Sequence, residues 1–350
     1  MLLLQRRLSI QPRNAPQNHP SHSDTAAGPY PLEKLPALVR KLKSLGYAGI
    51  EIPIAFVMKF GPAAFRELLE AEGMLFIAQV FSSGAPPIPG NLKIPSAAGI
   101  EHPADNAGNT RDVENHKRIW GAQCREAALL KPVLYAINSH TGKDYFSPAE
   151  ADDLLAFCVA LEKELGVTIN HETHRARILY SPWPVPRIFD AHPEIHYTAD
   201  LSHFSVVTET GADDPEVCKV VAQITPRTRH VHARVGFQEG PQVPDPRGAL
   251  WAPYMEGYKR WWAAIYAARV AAGAETVSTT PEFGPWMYAW VHAHAAGVSL
   301  AHPPLTPPAR AQALPAPPLP PPIPPLSATL KPPNPVTQNN RSPCPRARTP

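Results

Sequence analysis

The sequence predicts an α/β protein with a (β/α)8 TIM barrel over residues 24–302, and three observations support this. The stretch is about 280 residues long, close to the ~250 residues that are usual for this fold. Apolar segments of strand length alternate along it with segments that repeat at helical spacing, as in parallel βα units. No glycine-rich phosphate turn follows a predicted strand, and this disfavours the rival doubly wound open sheet.

The individual elements follow from apolar spacing and from glycines that end helices. Gly46 and Gly73 each close a helical segment, because glycine readily adopts the left-handed conformation of a helix C-terminus. The segment that begins at Met74 is apolar almost throughout, as expected for a strand buried on both faces. The predicted strands are 47–54, 74–81, 133–138, 167–170, 195–199, 228–235 and 276–281, and the predicted helices are 32–45, 63–72, 111–130, 148–165, 185–191, 215–224 and 254–272.

The two elements that would complete the barrel are poorly defined in the sequence. A first strand has to precede Leu32, and residues 2–10 fit a strand poorly. The last helix has to follow Gly284, but residues 288–300 are a short segment rich in alanine and histidine. We therefore expect an imperfect first strand and an imperfect last helix. Residues 83–110 contain Pro, Gly and Asn with little periodicity and are predicted to form a long loop.

The formal charge of +3 comes from the two ends of the chain. Residues 1–23 and 303–350 contain eight of the 33 basic residues and no acidic residue, which leaves 25 basic and 30 acidic residues between them. A nucleic-acid-binding domain usually has a basic body or patch, so no nucleic-acid partner is expected. Residues 303–350 also hold 18 of the 45 prolines and are predicted to be disordered. Their proline runs could bind SH3-type or WW-type domains, the alternative being a passive tail.

The composition also bears on the compartment. Residues 1–23 are acid-free and contain arginine, serine and leucine, so we interpret them as a disordered or targeting segment, with a frayed N-terminus as the alternative to an organellar transit peptide. No run of 18 apolar residues exists, so no membrane span is expected. Four cysteines without close spacing indicate a reducing compartment and no disulfide framework. The expected location is cytoplasmic, or organellar if the N-terminus is a transit peptide.

Polar side chains stand at the carboxyl ends of the last four predicted strands. Each of these strands delivers a carboxylate or an imidazole, in chain order Glu172, Asp200, His232 and Glu282. In a parallel barrel the carboxyl ends of all strands meet at one rim, where the chemistry takes place. A single acid in such a place is usually a satisfied cap, but four in register predict a site for one divalent metal ion. Carboxylate and imidazole ligands without cysteine suit Mn²⁺, Co²⁺, Mg²⁺ or Zn²⁺.

These strand ends also resemble a known group of proteins. The motifs together resemble those of the xylose-isomerase-like TIM-barrel superfamily over roughly residues 32–286; they read Asn170-His171-Glu172, Ala199-Asp200-Leu201-Ser202-His203-Phe204, His230-Val231-His232-Ala233-Arg234 and Pro281-Glu282-Phe283-Gly284. That superfamily includes sugar and sugar-phosphate isomerases and epimerases, and the endonuclease-IV-like enzymes. The resemblance implies that Glu172, Asp200, His232 and Glu282 bind the metal, and that Glu172 and Glu282 are also the catalytic acid and base.

The resemblance implies a reaction as well. A divalent-metal-dependent isomerase or epimerase would act on a sugar or small hydroxy-carbonyl compound by proton transfer through a metal-stabilised enediolate. His203 is then the implied substrate contact, the alternative being a loop residue bonded to the backbone. His140 follows the predicted strand 133–138, and Glu51 ends the predicted second strand in Gly49-Ile50-Glu51-Ile52; both are further substrate-binding candidates.

Other residues near the motifs have a less specific interpretation. Arg234 and Arg247 are candidates for clamping an anionic group of the substrate, with an ordinary surface position as the alternative for each. Alternation along the strand puts His230 on the same face as His232 but one layer deeper, where we expect a core or supporting role. The sequence leaves open whether the chain forms homo-oligomers.

Departures from the family pattern keep other functions open. The ketose 3-epimerases have a second glutamate where this chain has Ile178, and their Gly-Glu pair is replaced by Ala233-Arg234-Val235-Gly236. An endonuclease-IV-like phosphodiesterase would need three zinc ions, but two of its histidine ligands are missing at Asp245-Pro-Arg247 and Val80-Phe81-Ser82. A third alternative is a catalytically inactive barrel that serves as a binding or scaffold protein.

Overall fold

Seven parallel strands with helices between them form a nearly closed barrel in the computed structural model, which describes residues 2–4 (backbone only), 32–83 and 111–283. This confirms the predicted fold class. The strands are β1 (Leu2–Leu4), β2 (Gly49–Pro53), β3 (Leu75–Phe81), β4 (Leu134–His140), β5 (Ile169–Glu172), β6 (His196–Ala199), β7 (Thr228–Ala233) and β8 (Ser278–Pro281). The α-helices are α1 (Leu35–Ser44), α2 (Ile54–Phe60), α3 (Pro62–Glu72), α4 (Val113–Ala128), α5 (Pro148–Leu165), α6 (Val185–Ala191), α7 (Ser202–Thr208), α8 (Pro215–Ile224) and α9 (Ala252–Ala271).

The strands follow one another around the sheet in sequence order. Each strand from β2 to β8 pairs with the next in parallel. The three-residue β1 runs the other way, pairing antiparallel with β2 so that Leu3 lies opposite Ile50. It also contacts β8 and so lies between the two edges of the parallel sheet. The first strand is therefore imperfect, as expected, and its direction is the reverse of a regular barrel strand.

Several predictions fall on residues that the structure does not describe. The last helix at 288–300, most of the loop at 83–110 and the proline-rich segment 303–350 lie outside the described residues. The chain divides into two units, Met1–His292 and Ala293–Pro350, and the barrel belongs to the first. In the described residues no helix is both long and apolar enough to cross a membrane. Cys124, Cys158 and Cys218 are free thiols.

Local sequence signals account for most helix ends. Ser147 begins α5 with a capping box, in which its hydroxyl accepts from the Glu150 backbone while the Glu150 carboxylate accepts from the Ser147 backbone. Gly73 ends α3 in the left-handed conformation at φ 58°, as the sequence predicted. Two seven-residue helices were not predicted, α2 directly after β2 and α7 shortly after β6.

Alternation along the strands separates an apolar exterior from a polar interior. Ile50 and Ile52 are buried among the surrounding helices, whereas Glu51 between them is fully buried with polar partners inside the barrel. Near the amino ends of β3 and β4, the interior contains a small apolar cluster that includes Ile77 and Ala136. Two residues further along the same strands lie Gln79 and Asn138, which face the same way. The barrel therefore presents polar groups toward its carboxyl end, where the predicted site lies.

Candidate metal centre

The four predicted metal ligands lie together at the carboxyl end of the barrel. Glu172 is the last residue of β5, His232 lies near the end of β7, and Asp200 and Glu282 directly follow β6 and β8. Nδ1 of His232 is 3.1 Å from Oε2 of Glu282 and 3.5 Å from Oε1 of Glu172. Asp200, His232 and Glu282 each offer a ligand atom within 4.8 Å of the others. The fold thus collects groups that are up to 110 residues apart in sequence.

Two atoms of this cluster are buried without a hydrogen bond. Among the described residues, neither Nδ1 of His232 nor Oε2 of Glu282 has a hydrogen-bond partner, although the two atoms approach each other closely. Leaving such a group unsatisfied costs about 1–3 kcal/mol, so native structures rarely do so without a reason. A cation between them would satisfy both. Three carboxylates and one imidazole also form a donor set that suits a divalent ion, and the residues present fit one.

Arg234 lies inside the cluster rather than at a substrate-facing surface. Its guanidinium is fully buried, forms an ion pair with Oδ2 of Asp200, and lies 2.9 Å from Oε1 of Glu282. Its Nε donates to Ser202 Oγ, whose hydroxyl in turn donates to Oδ1 of Asp200. Burial raises the pKa of Asp200, but Arg234, His203 and His232 together outweigh burial and hold this pKa well below its usual value. Asp200 has both oxygens engaged, so it would have to share one of them with a metal ion.

Glu51 supports the cluster from inside the barrel. It is completely buried, and both of its oxygens are occupied. Oε1 lies 3.0 Å from Nε2 of His232, and this contact turns Nδ1 of the same ring toward the carboxylates. The other partners of Glu51 are Gln79, Asn138, His230 and Thr280. The structure thus places Glu51 beneath the site, and His230 in the core beside it.

The carboxylates of the cluster and the His232 ring each shift the pKa of the other toward its charged form. Burial favours a neutral ring at His232, but Glu51 and Glu172 outweigh burial and raise the pKa of His232 well above its usual value. Burial raises the pKa of Glu172, whereas His140 and His232 together lower it to about 2. Among the described residues, four carboxyl groups including Glu51 meet here, and Arg234 and His232 are the cationic partners. His140 and His203 also contact these carboxyl groups, but burial lowers the pKa of both rings and keeps them neutral at pH 7. This balance leaves the cluster able to accept a further positive charge.

Three histidines form a row along one side of the cluster. The ring centroids of His140 and His174 are 4.8 Å apart, and those of His174 and His203 are 3.9 Å apart. Nε2 of His140 lies 3.0 Å from Oε2 of Glu172, and Nε2 of His203 lies 3.3 Å from Oδ2 of Asp200. Burial lowers the pKa of His140 to about 4 and lowers the pKa of His174 and His203 as well. All three rings are therefore neutral at pH 7 and can each offer one donor and one acceptor.

Arg247 is not brought to the cluster. Its side chain is 75% exposed and bonds to Asp245, two residues earlier in the same loop. Of the five substrate-binding candidates, His140, His203 and Arg234 lie at the cluster, Glu51 lies beneath it, and Arg247 lies away from it. The acidic residue Asp245, only two positions before Arg247, could have indicated from the sequence that Arg247 forms a local, exposed ion pair.

Two residues at the site were missed by sequence reasoning. Asn138 donates from Nδ2 to Oε2 of Glu172 at 2.7 Å and to Oε1 of Glu51 at 3.0 Å. Its spacing of two residues from His140 on β4 puts both on one strand face, and this pattern could have identified it. Arg177 is buried in the loop after β5, five residues beyond Glu172. No periodicity marks it, because loop positions follow no regular spacing.

Comparisons with known proteins identify similar folds only. No protein-family profile and no curated protein matches the sequence. Similar solved structures include the 3-keto-D-glucoside 4-epimerase YcjR from E. coli, at 13% identity and TM-score 0.44, covering 68% of this chain and 85% of that one. D-psicose 3-epimerase with D-tagatose from Clostridium cellulolyticum has 12% identity and TM-score 0.41, with coverages of 69% and 76%. Endonuclease IV from Thermus thermophilus has 16% identity and TM-score 0.41, with coverages of 68% and 84%.

These neighbours are xylose-isomerase-like TIM-barrel proteins, the group that the sequence motifs resemble. Their TM-scores lie below 0.5 and their identities do not exceed 16%. At this level of structural similarity, no substrate, metal ion or site residue of these neighbours can be assigned to the present chain.

Proposed function

We propose that this protein is a divalent-metal-dependent isomerase or epimerase that acts on a sugar or a small hydroxy-carbonyl compound. The observation that carries the proposal is the convergence of Glu172, Asp200, His232 and Glu282, with two buried atoms lacking hydrogen bonds at its centre. These four residues would hold one divalent ion. When bound, the ion supplies Lewis-acid stabilisation of the negative charge that develops on substrate oxygens as the α-proton leaves.

The carboxylates differ in how freely they could move a proton. Glu282 has the more exposed side chain, at 18%, and its Oε2 accepts no hydrogen bond from the described residues. Glu172 is 2% exposed, and its Oε2 contacts both Asn138 and His140. We therefore assign removal of the α-proton to Oε2 of Glu282, with Glu172 held ionised as the second carboxylate of the predicted pair.

The remaining residues divide into substrate contacts and supports. His140 and His203 have neutral rings beside the carboxylates and could hydrogen-bond substrate hydroxyls. Glu51 and Arg234, which the sequence offered as substrate contacts, are engaged with other residues of the protein. We assign Glu51 to holding His232, and Arg234 to holding Asp200 and Glu282.

The test combines metal content with proton exchange. We expect the purified chain to bind about one Mn²⁺ or Co²⁺, and to exchange an α-proton with D₂O for at least one member of a panel of ketoses, aldoses and sugar acids. Glu282→Gln should abolish exchange, and Asp200→Asn should weaken metal binding. Glu256→Gln is the matched control, because this exposed residue pairs only with Lys259 on the surface of α9. If Glu282→Gln and Asp200→Asn both bound Mn²⁺ like the wild type, the site assignment would be wrong.

A second candidate function follows from overlapping ligand groups. Besides the set around Glu282, three further trios among the described residues could hold a cation. They are His140, Glu172 and His174; Glu172, Asp200 and His203; and Glu51, His230 and His232. Such sharing of carboxylates is typical of sites with several metal ions. A phosphodiesterase of the endonuclease-IV type would then bind about three zinc ions and cleave DNA at an abasic site. Metal stoichiometry with Zn²⁺ separates the two functions, and one ion per chain favours the isomerase.

A further inference from the structure

Arg177 is a buried cation without an acidic partner among the described residues. Its side chain makes a single hydrogen bond, from Nη1 to Ser83 Oγ, and its buried Nε makes none. No carboxylate of residues 32–83 or 111–283 lies within ion-pairing distance of it, and Glu172 and Asp144 act on its charge only from farther away. Arg234, also buried, contacts two carboxylates. Since taking a guanidinium out of water without a counterion in contact is costly, Arg177 calls for an explanation of its own.

The position of Arg177 links it to the candidate metal centre. It lies in the loop after β5, and its bond to Ser83 joins it to the end of β3. Its backbone donates to the carbonyl of His174, in the histidine row. Its charge also acts on its neighbours, because Arg177 contributes to lowering the pKa of His140 and of His174. The guanidinium therefore sits on the His140 side of the cluster.

A second cation lies close to Arg177. Lys143 follows β4, and its ammonium forms no ion pair in the part of the chain that the structure describes. Burial and then the charge of Arg177 lower the pKa of Lys143. Two neighbouring cations repel each other, and Asp144 offsets part of this repulsion without forming an ion pair with either of them. An anion bound beside the two cations would offset the rest.

We infer that Arg177, with Lys143 beside it, binds an oxyanion group of the substrate, a carboxylate or a phosphate, next to the candidate metal centre. A guanidinium presents parallel N–H donors that match either group, and the unbonded Nε belongs to that set. This inference rests on the proposed function and narrows it to anionic hydroxy-carbonyl compounds. It also replaces the clamp that the sequence placed at Arg234 or Arg247.

The experiment measures anion binding directly, without turnover. Calorimetry on the full chain, with a chelator present, uses inorganic phosphate in one arm and glycolate in the other. We expect one of the two anions to bind and Arg177→Gln to weaken that binding at least about tenfold, because a hydrogen bond to a charged group is lost. Arg177→Lys should recover part of it. Arg125→Gln is the matched control, since Arg125 is exposed and paired with Glu164.

Further variants distinguish a bound anion from an acidic partner within the chain. Lys143→Gln should weaken binding of the same anion, and it serves as the test if Arg177→Gln does not fold. Glu101→Gln and Asp105→Asn remove acids from the undescribed segment 84–110, and neither should increase anion affinity. An increase would show that an internal acid is the counterion of Arg177 and would overturn the inference.

The outcomes of this test are independent of the metal proposal. Absence of binding by both anions, or equal binding by Arg177→Gln and Arg125→Gln, would overturn the anion site alone. Anion binding that depends on Arg177 in a chain with no metal binding and no proton exchange would leave the anion site standing and reject the isomerase.

Discussion

At the scale of single residues, the candidate site is defined by which polar atoms are already occupied. Both oxygens of Glu51 take several hydrogen bonds in the barrel interior, whereas Oε2 of Glu282 takes none from the described residues. The same contrast separates Arg234, which pairs with two carboxylates, from Arg177, which pairs with none that the structure describes. Polar atoms that already have a hydrogen bond or an ion pair hold the site in place. Polar atoms without such a partner are where a metal ion or a substrate can bind.

The contact between Glu51 and His232 can be tested through metal affinity. Glu51→Gln keeps the side-chain size but removes one acceptor oxygen, so the His232 ring is held less firmly. Loss of such a supporting contact usually weakens metal binding by about 10–100-fold. Calorimetric titration with Mn²⁺ measures this, with Glu256→Gln as the surface control. Unchanged Mn²⁺ affinity in Glu51→Gln would mean that His232 does not need this carboxylate.

His196 makes stability depend on pH at a distance from the ligands. It begins β6, and burial, with Arg229, Arg227 and Arg269 adding to it, lowers the pKa of His196 to about 4. The unfolded chain therefore binds this proton first as the pH falls, so the folded state loses stability from about pH 6.5 down to about pH 4. His140 and His171, whose pKa values are lowered to about 4 and about 3 by burial, act in the same direction.

The check is a set of urea unfolding midpoints between about pH 7.5 and pH 4.5. We expect the wild-type midpoint to fall on acidification and His196→Gln to fall less, because glutamine has no proton to gain. If both chains lost stability equally, the folded His196 would titrate near its unfolded value.

At the scale of elements, the sequence predicted most of the barrel because its strands and main helices carry strong periodic signals. The ends of β5 to β8 were placed well enough to collect Glu172, Asp200, His232 and Glu282 at one rim. The seven-residue helices α2 and α7 were missed, although α6 has the same length and was predicted. Seven residues span only about two helical turns, so the apolar spacing decides little at this length. The direction of β1 was not predictable either, because three leucines fit a strand of either direction.

The site was less predictable than the fold for a different reason. Strand alternation identifies which residues point inward, but it does not say which of them pair with one another. Arg234 was expected to face the substrate, although Asp200 lies close enough in the fold to hold it. Arg177 could not be found at all, since its burial depends on the packing of loops after β3 and β5. Contacts between distant loops carry no signal in a single sequence.

The loop that follows His140 at the end of β4 has a glycine that no other residue can replace easily. Gly142 has φ +60°, and an added Cβ would lie 2.6 Å from Cγ2 of Ile178 and 3.3 Å from Cδ2 of Leu154. Gly73 has nearly the same backbone conformation, but its added Cβ would meet nothing closer than Lys43 Nζ at 3.7 Å. An alanine at Gly73 would therefore introduce backbone strain alone, whereas an alanine at Gly142 would introduce backbone strain and steric overlap.

We expect Gly73→Ala to cost about 1 kcal/mol of unfolding free energy, and Gly142→Ala about 2–4 kcal/mol. Urea unfolding of the two variants measures the difference. Similar losses at both positions would show that Ile178 moves aside at little cost.

At the scale of the whole molecule, the net charge of the chain says little about what it binds. The formal +3 combines two basic ends with a body that has five more acidic than basic residues. Within that body, Glu51, Glu172, Asp200 and Glu282 meet around His232 and Arg234. This local concentration of carboxyl groups, rather than the net charge of the chain, is what would attract the proposed cation.

A bound ion should stabilise the entire barrel, because its ligands come from β5, the segments after β6 and β8, and β7. At a Mn²⁺ concentration 100 times its dissociation constant the expected gain is about 2.7 kcal/mol. For a domain of this size such a gain raises Tm by roughly 5–10 °C relative to a sample with chelator. Thermal unfolding by circular dichroism measures the shift, and Asp200→Asn should reduce it. A shift that survived in Asp200→Asn would place the ion elsewhere.

Arg234 has a consequence for the order in which the protein matures. Small zinc domains remain unfolded until their metal arrives, because nothing else neutralises their ligands. Here the guanidinium already compensates Asp200 and Glu282, so the barrel can finish folding in the absence of any ion. Loading of the proposed metal ion would then be a separate event that follows folding. The folded chain would take up whichever suitable ion its surroundings supply, and it could be emptied and refilled without unfolding.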